Sequence, residues 1–97
     1  MKLYKYCQLA GRQKMFGKGL KIRIDYGNGL EDLEDEEDNI IHTESIIYAS
    51  NYLIKCGWEF TQAYAVSMYH GEDIQYWVFR KEVSAEELDE TLVIYDN

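Results

Sequence analysis

Proline is absent from this 97-residue chain, and cysteine and histidine occur only twice each. Without proline, no stretch has the composition of a stiff linker between domains. Cys7 and Cys56 lie far apart and form no C-x-x-C pair, which argues against a disulfide framework and against a zinc site. We therefore expect a single domain over residues 1–97, with both thiols reduced and buried.

Long hydrophobic runs are also missing. No apolar stretch approaches the roughly 20 residues that a membrane helix needs. Residues 1–14 contain no apolar segment typical of a secretory signal. The sequence therefore predicts a cytoplasmic protein without a membrane partner.

Basic residues become scarce after residue 23. The first 23 residues carry seven Lys or Arg and no acid, the remainder carries 18 acidic side chains against three basic ones, and the net charge is −8. This asymmetry predicts that the basic segment folds back onto the acidic remainder. Head-to-tail pairing between subunits and a basic partner protein are the alternatives. The net charge disfavours nucleic acid as a partner.

Two segments of the basic half alternate as strands do. In residues 3–9, one side carries Leu3, Cys7 and Leu9, and the other carries Tyr4 and Tyr6. Residues 20–26 alternate between apolar residues and Lys, Arg or Asp, which predicts one face in the core and one in water. Residues 11–19 are rich in glycine and basic residues, so we predict a loop there.

An acidic run follows, with seven Asp or Glu in residues 31–38 interrupted only by Leu33. Such a run repels itself and is normally solvated. We therefore predict that residues 27–42 form an exposed, mobile insertion. A calcium site is the alternative, although the ligand spacing of an EF-hand is absent.

A helix is predicted over Thr43–Cys56, with Thr43 as its N-cap. Gly57 stands where a left-handed residue commonly ends a helix, and Trp58 is then placed to pack on the last turn. One apolar stripe of this helix contains Ile46, Ala49, Leu53 and Cys56, widened by Ile47 and Ile54.

A hairpin of two long strands follows, residues 59–69 and 74–83, if residues 70–73 form the loop. That loop length places Tyr64 opposite Phe79 and Val66 opposite Trp77. Because a stable monomer rarely exposes a large apolar patch, we expect protein to cover this face and favour a homodimer. The tentative interface comprises Tyr64, Val66, Met68, Trp77 and Phe79.

A short C-terminal helix is the other candidate for covering the apolar face of this hairpin. Ser84-Ala85-Glu86-Glu87 is a capping-box sequence. Leu88, Leu92 and Tyr95 then fall on one stripe.

No motif for catalysis, cofactor binding or metal binding is present. His42 and His70 both fall in predicted loops, where a histidine is usually solvated. The phosphate-binding loop, the G-x-S-x-G turn and the H-E-x-x-H helix are all absent. We therefore predict a non-enzymatic protein with no catalytic residue, no cofactor and no metal ligand.

Three short motifs resemble a family of small bacterial domains of unknown function. They are Lys5-Tyr6, then Gly57-Trp58-Glu59-Phe60 at the end of the helix, then Tyr76-Trp77-Val78-Phe79-Arg80-Lys81-Glu82. The likeness covers residues 1–9 and 43–83. It implies a helix packed on an antiparallel sheet and carries no activity or catalytic residue.

The predicted fold is α+β, a mostly antiparallel sheet of about four strands with the Thr43–Cys56 helix on one face. The predicted function is association, with a second copy or with another protein. The main argument is the two-sided apolar hairpin together with nine tyrosines, a residue enriched at interfaces. An acidic decoy that mimics nucleic acid and a small-ligand-binding domain are the alternatives.

Overall fold

The computed structural model describes residues 1–14, 17, 19–69 and 71–92. Within them it contains one antiparallel sheet in the order β3-β2-β1-β5-β4 and two helices. The elements in chain order are β1 (Leu3–Gln13), β2 (Leu20–Asp25), β3 (Leu30–Asp32), α1 (Ile46–Lys55), β4 (Glu59–Ser67), β5 (Asp73–Val83) and α2 (Ala85–Thr91). The predicted α+β class is confirmed, with five strands where about four were expected.

The additional strand is β3, and it comes from the acidic run. Leu30–Asp32 pairs with β2, and Leu33 is only 2% exposed in the core. The chain turns tightly beyond it, with the Asp35 carboxylate accepting hydrogen bonds from the backbone N–H groups of Glu37 and Asn39. The acidic side chains of residues 31–38 are exposed as predicted, apart from half-buried Asp35. The run is not a loop throughout, because it begins in β3 and Leu33 anchors it to the core.

The core lies between α1 and one face of the sheet. Strand β1 is central, since it pairs with β2 through Gln8–Gln13 and with β5 through Leu3–Arg12. The buried cluster consists of Cys7, Leu9, Ile24, Leu33, Ile46, Ala49, Leu53, Trp58 and Phe79. The predicted core sides of the first two strands are confirmed by the burial of Cys7, Leu9 and Ile24.

Helix α1 begins later than predicted. Its N-cap is Ser45, whose hydroxyl accepts a hydrogen bond from the Tyr48 N–H at 3.1 Å. The Thr43 hydroxyl instead accepts from the Ser45 N–H at 3.1 Å and so supports the cap from outside the helix. The predicted stripe is buried at Ile46, Ala49 and Leu53, but Ile47 and Ile54 are 54% and 52% exposed and do not widen the core.

The end of α1 agrees with the sequence prediction. Gly57 has φ +95°. Its N–H donates to the Ile54 carbonyl, and the Trp58 N–H donates to the Leu53 carbonyl, both at 3.0 Å. These two bonds form a Schellman motif, which turns Trp58 back onto the core, where it is 7% exposed.

The predicted register of the β4–β5 hairpin is wrong by three residues. The structure pairs Val66 with Ile74 and Tyr64 with Tyr76, because the loop closes between Met68 and Glu72. A slip by an odd number of residues exchanges the faces of a strand. One extra residue in β4, between Phe60 and Gln62, then returns Phe60 to the side of Phe79.

The basic N-terminal segment does fold back onto acidic side chains. Lys2, Lys5, Arg12 and Lys14 form ion pairs with Glu82, Glu87, Glu72 and Glu44. These pairs are partly exposed, so each contributes little to stability.

Helix α2 begins as predicted, with the Ser84 hydroxyl accepting from the Glu87 N–H at 3.1 Å. No residue of α2 is buried, and Tyr95 of the predicted stripe lies outside the described residues. Neither α1 nor α2 is long and apolar enough to cross a membrane.

Candidate interaction surface

The two faces of the sheet differ in what covers them. Directly paired residues of antiparallel strands point to the same face, so the register assigns every strand residue to a face. The covered face, under α1, contains Leu9, Ile24 and Phe79, all 0% exposed. On the opposite face, the only aromatic or aliphatic side chain that is buried is Ala10.

Four tyrosines lie on this opposite face, which we call the tyrosine face. Two come from β1 and one each from β5 and β4. The face comprises Tyr4, Tyr6, Gln8, Ala10 and Arg12 of β1; Ile74, Tyr76, Val78, Arg80 and Glu82 of β5; Glu59, Gln62, Tyr64 and Val66 of β4; and Lys21, Arg23, Asp25, Leu30 and Asp32 of β2 and β3. Its middle is therefore aromatic, aliphatic and amide in character.

Contacts within the tyrosine face hold its aromatic rings in place. The Tyr64 and Tyr76 rings stack with centroids 5.1 Å apart. The Tyr64 hydroxyl donates to the Gln8 side-chain oxygen at 2.8 Å, across the intervening β5. Rings ordered in this way lose little conformational freedom when a partner covers them.

A second ordered group lies at the end of the tyrosine face that carries Tyr4 and Glu82. The Arg80 guanidinium stands 4.1 Å from the centre of the Tyr4 ring. It also donates to the Glu59 carboxylate at 3.3 Å. The hydrogen bond with Glu59 raises the pKa of Arg80 above its ordinary value, so this cation persists at all physiological pH.

Charge is balanced on the tyrosine face, although the whole chain carries −8. Its four basic side chains are Arg12, Lys21, Arg23 and Arg80, and its four acidic ones are Asp25, Asp32, Glu59 and Glu82. The net negative charge therefore belongs to the rest of the surface. A neutral, mixed face does not repel another face of the same kind.

The structure separates the five residues of the predicted interface. Tyr64 and Val66 lie on the tyrosine face and are 44% and 42% exposed. Phe79 and Trp77 lie on the covered face, where Phe79 is fully buried and Trp77 packs against the core. Met68 follows β4 in the loop. The prediction that these five share one face is therefore wrong, because the hairpin register differs from the predicted one.

Tyr4 and Tyr6 were not among the predicted interface residues. The signal for them was present in the alternation of residues 3–9, which places both opposite the core side. What the sequence lacked was the pairing of β1 with β5, which places Tyr6 opposite Arg80 and Tyr4 opposite Glu82 on the face that also carries Tyr76.

A cavity of about 450 Å³ lies between α2 and the first half of β1. Tyr26, Trp58 and Leu88 form its apolar walls. Its charged lining residue, Lys5, already pairs with Glu87 at 3.1 Å and stands 5.6 Å from the Trp58 ring centre. The cavity therefore offers apolar surface but no free charge to orient a ligand.

Neither cysteine forms a disulfide. Cys7 is buried as predicted, and Cys56 is half-buried at the end of α1. Burial raises the pKa of the Cys7 thiol from 9.0 to about 12, so Cys7 is protonated and a poor nucleophile at neutral pH.

Among the described residues, no group of three or more His, Cys, Asp or Glu side chains is placed to hold a metal ion. The structure positions His42 as an exposed residue ahead of α1, whereas His70 lies outside the described residues. No family model, curated protein or solved structure matches the chain.

Proposed function

We propose that this protein is a non-enzymatic association module and that the tyrosine face is its binding surface. The observation that carries the proposal is the contrast between the two faces of a single sheet. On one face α1 buries Leu9, Ile24 and Phe79, although Phe60 in edge strand β4 of that face is 43% exposed. The other face presents four tyrosines and several aliphatic side chains that no described element buries.

The composition of the tyrosine face supports a binding role. Tyrosine and arginine are enriched at protein interfaces, where they contribute large contact areas and hydrogen bonds together. Four large hydrophobic residues of the face, Tyr6, Leu30, Tyr64 and Val66, are more than 40% exposed. Apolar surface of this kind on one continuous sheet face favours burial against a partner.

A binding role also agrees with the chemistry of the described side chains. Cys7 is buried and protonated, and the cation in the cavity beside α2 is already paired. A general acid or base needs a poised pKa in a concave site. The tyrosine face is instead broad, ordered and neutral in net charge, and these properties suit binding to another protein.

Affinity capture with matched variants tests the proposal. Tagged wild-type protein, Tyr64→Lys and Ile47→Lys are incubated with extract of the native cell supplemented with untagged chain. Ile47 has comparable exposure, 54%, but lies on the outer side of α1. We expect a stoichiometric protein, either a distinct partner or the untagged chain, to be retained by wild type and Ile47→Lys and lost by Tyr64→Lys.

Circular dichroism and thermal melting must first show that both variants fold. Val66→Lys provides a second substitution on the tyrosine face should Tyr64→Lys be unstable. Equal retention of the same proteins by all baits, or selective loss with Ile47→Lys, contradicts the proposal.

A further inference from the structure

We infer that the tyrosine face binds a second copy of this chain, in a two-fold dimer whose two sheets stack face to face with their strands antiparallel. This inference rests on the proposed function and specifies its partner. It depends on the charge distribution and the extent of the tyrosine face.

Charge on the tyrosine face changes sign along the strand direction. Arg12 pairs with Lys21 at one end of the face, and in the next row Arg23 pairs with Asp32. The Arg12 guanidinium also forms an ion pair with Glu72, which leaves Lys21, among the described residues, as the uncompensated cation at this end. The opposite end carries acidic residues, because Tyr4 pairs with Glu82, while Glu59 lies beside Arg80. The face is thus basic at one end, mixed at the other, and neutral as a whole.

A two-fold interface brings the same surface of both subunits together. If the symmetry axis lies in the plane between the sheets and runs across the strands, the basic end of each copy meets the end of its partner that carries Glu59 and Glu82. If the axis ran along the strands instead, the basic ends would oppose each other. Charge complementarity therefore selects the antiparallel stack.

The extent of the face is sufficient for a weak dimer. Strands lie about 4.8 Å apart and rise about 3.3 Å per residue, so the four longer strands over about seven residue positions span on the order of 500 Å². Two copies together would bury about 1,000 Å², the lower limit for a specific interface. We therefore expect a dissociation constant on the order of micromolar rather than nanomolar.

In the antiparallel stack, the row of Gln62, Val78 and Gln8 lies at the two-fold axis. This row is the middle one of five, between the row of Arg12 and the row of Tyr4. Val78 at the centre of the face should therefore lie close to Val78 of the second copy. Val66 belongs to an end row of edge strand β4. It should therefore lie far from Val66 of the second copy.

Analytical ultracentrifugation of the full chain tests whether a second copy of the chain binds the tyrosine face. At about 100 µM chain, a micromolar dimer is mostly assembled. We expect dimer for wild type and for Ile47→Lys, and a weakening of at least about tenfold for Tyr64→Lys.

Cross-linking with a short bis-maleimide tests the arrangement, in a Cys56→Ser background with Cys7 left buried. Val78→Cys should give a covalent dimer, and Val66→Cys should not. Cross-linking at Val66→Cys in preference to Val78→Cys overturns the antiparallel stack.

The possible failures are distinguishable. Monomer at every concentration overturns the second copy as occupant, while Tyr64-dependent capture of a different protein would leave the proposed function intact. A dimer that survives Tyr64→Lys and Val66→Lys but dissociates with Ile47→Lys uses the outer side of α1, and this result contradicts both the inference and the proposed function.

Discussion

The covered face and the tyrosine face belong to the same strands, yet they serve different purposes. On β1, alternate residues are either fully buried under α1, as Leu9 is, or directed to the other side, as Tyr6 is, with 54% of its surface exposed. On β5, Phe79 and Val78 are adjacent in sequence but lie on opposite faces. The covered face stabilises the fold, and the tyrosine face carries the proposed binding surface.

This contrast shows that large aromatic residues on a strand do not all indicate core. Phe79 and Trp58 are buried, whereas Tyr6 and Tyr64 remain accessible, and Tyr64 is held by its hydrogen bond to Gln8. The hydroxyl is the physical difference, since it allows a tyrosine to keep a polar contact with water or a partner. Substitutions on the two faces should therefore affect different properties.

The largest expected effect separates the faces by stability. Phe79→Ala should lower the free energy of unfolding by about 3–5 kcal/mol, because it leaves a cavity in a closed core. Tyr76→Ala, on the tyrosine face of the same strand, should cost about 1 kcal/mol, chiefly the stacking with Tyr64. Urea unfolding of dilute protein measures both. Similar losses for the two variants would remove the distinction between the faces.

A second comparison lies within the acidic run. Leu33→Ala should cost about 2–4 kcal/mol because Leu33 is buried in the core cluster. Glu36→Ala should change stability by less than about 0.5 kcal/mol, since its side chain is exposed. Thermal melting of the two variants measures the difference. An unchanged melting temperature in Leu33→Ala would show that Leu33 does not anchor the acidic run to the core.

A third comparison concerns the turn that places Trp58 over the covered face. Gly57→Val should cost on the order of 1–2 kcal/mol, because a Cβ-bearing residue is strained at φ +95°. Gly57→Asn should cost less, since asparagine tolerates the left-handed region. Chemical denaturation is the measurement, and equal stability of wild type and Gly57→Val would be incompatible with this turn.

The last comparison is a dependence of stability on alkaline pH that arises in and beside the core. Burial raises the pKa of Cys7 from 9.0 to about 12 and that of Tyr26 from 10.0 to about 12. Above pH 9, the unfolded chain therefore releases protons that the folded chain retains, and stability falls as the pH rises toward 12.

The urea midpoint at about pH 10.5 should accordingly lie below that at pH 7. Cys7→Ala, although less stable at both pH values, should show a smaller difference between them. An equal midpoint for wild type at the two pH values would argue against a protonated, buried Cys7.

Much of the fold could be predicted because the relevant interactions are local. The alternation of residues 3–9 and 20–26 identified the core sides of β1 and β2, and Gly57 identified the end of α1. The start of α1 was predicted wrongly, since the predicted N-cap Thr43 lies outside the helix and Ser45 caps it. The tyrosine face was only partly foreseen, because Tyr64 and Val66 were assigned to it together with two residues that lie under the helix.

By itself, the sequence determined the types of element other than β3, their order and the end of α1, because hydrophobic period and glycine conformation act over a few residues. Only the tertiary structure decided the hairpin register, the burial of Leu33 and the central position of β1. Each of these depends on contacts between distant residues, such as Cys7 with Phe79 and Tyr64 with Gln8. A change of three residues in register moves Tyr64 from the side of Phe79 to the side of Tyr76. It is therefore the pairing between strands that assembles four tyrosines on one open face.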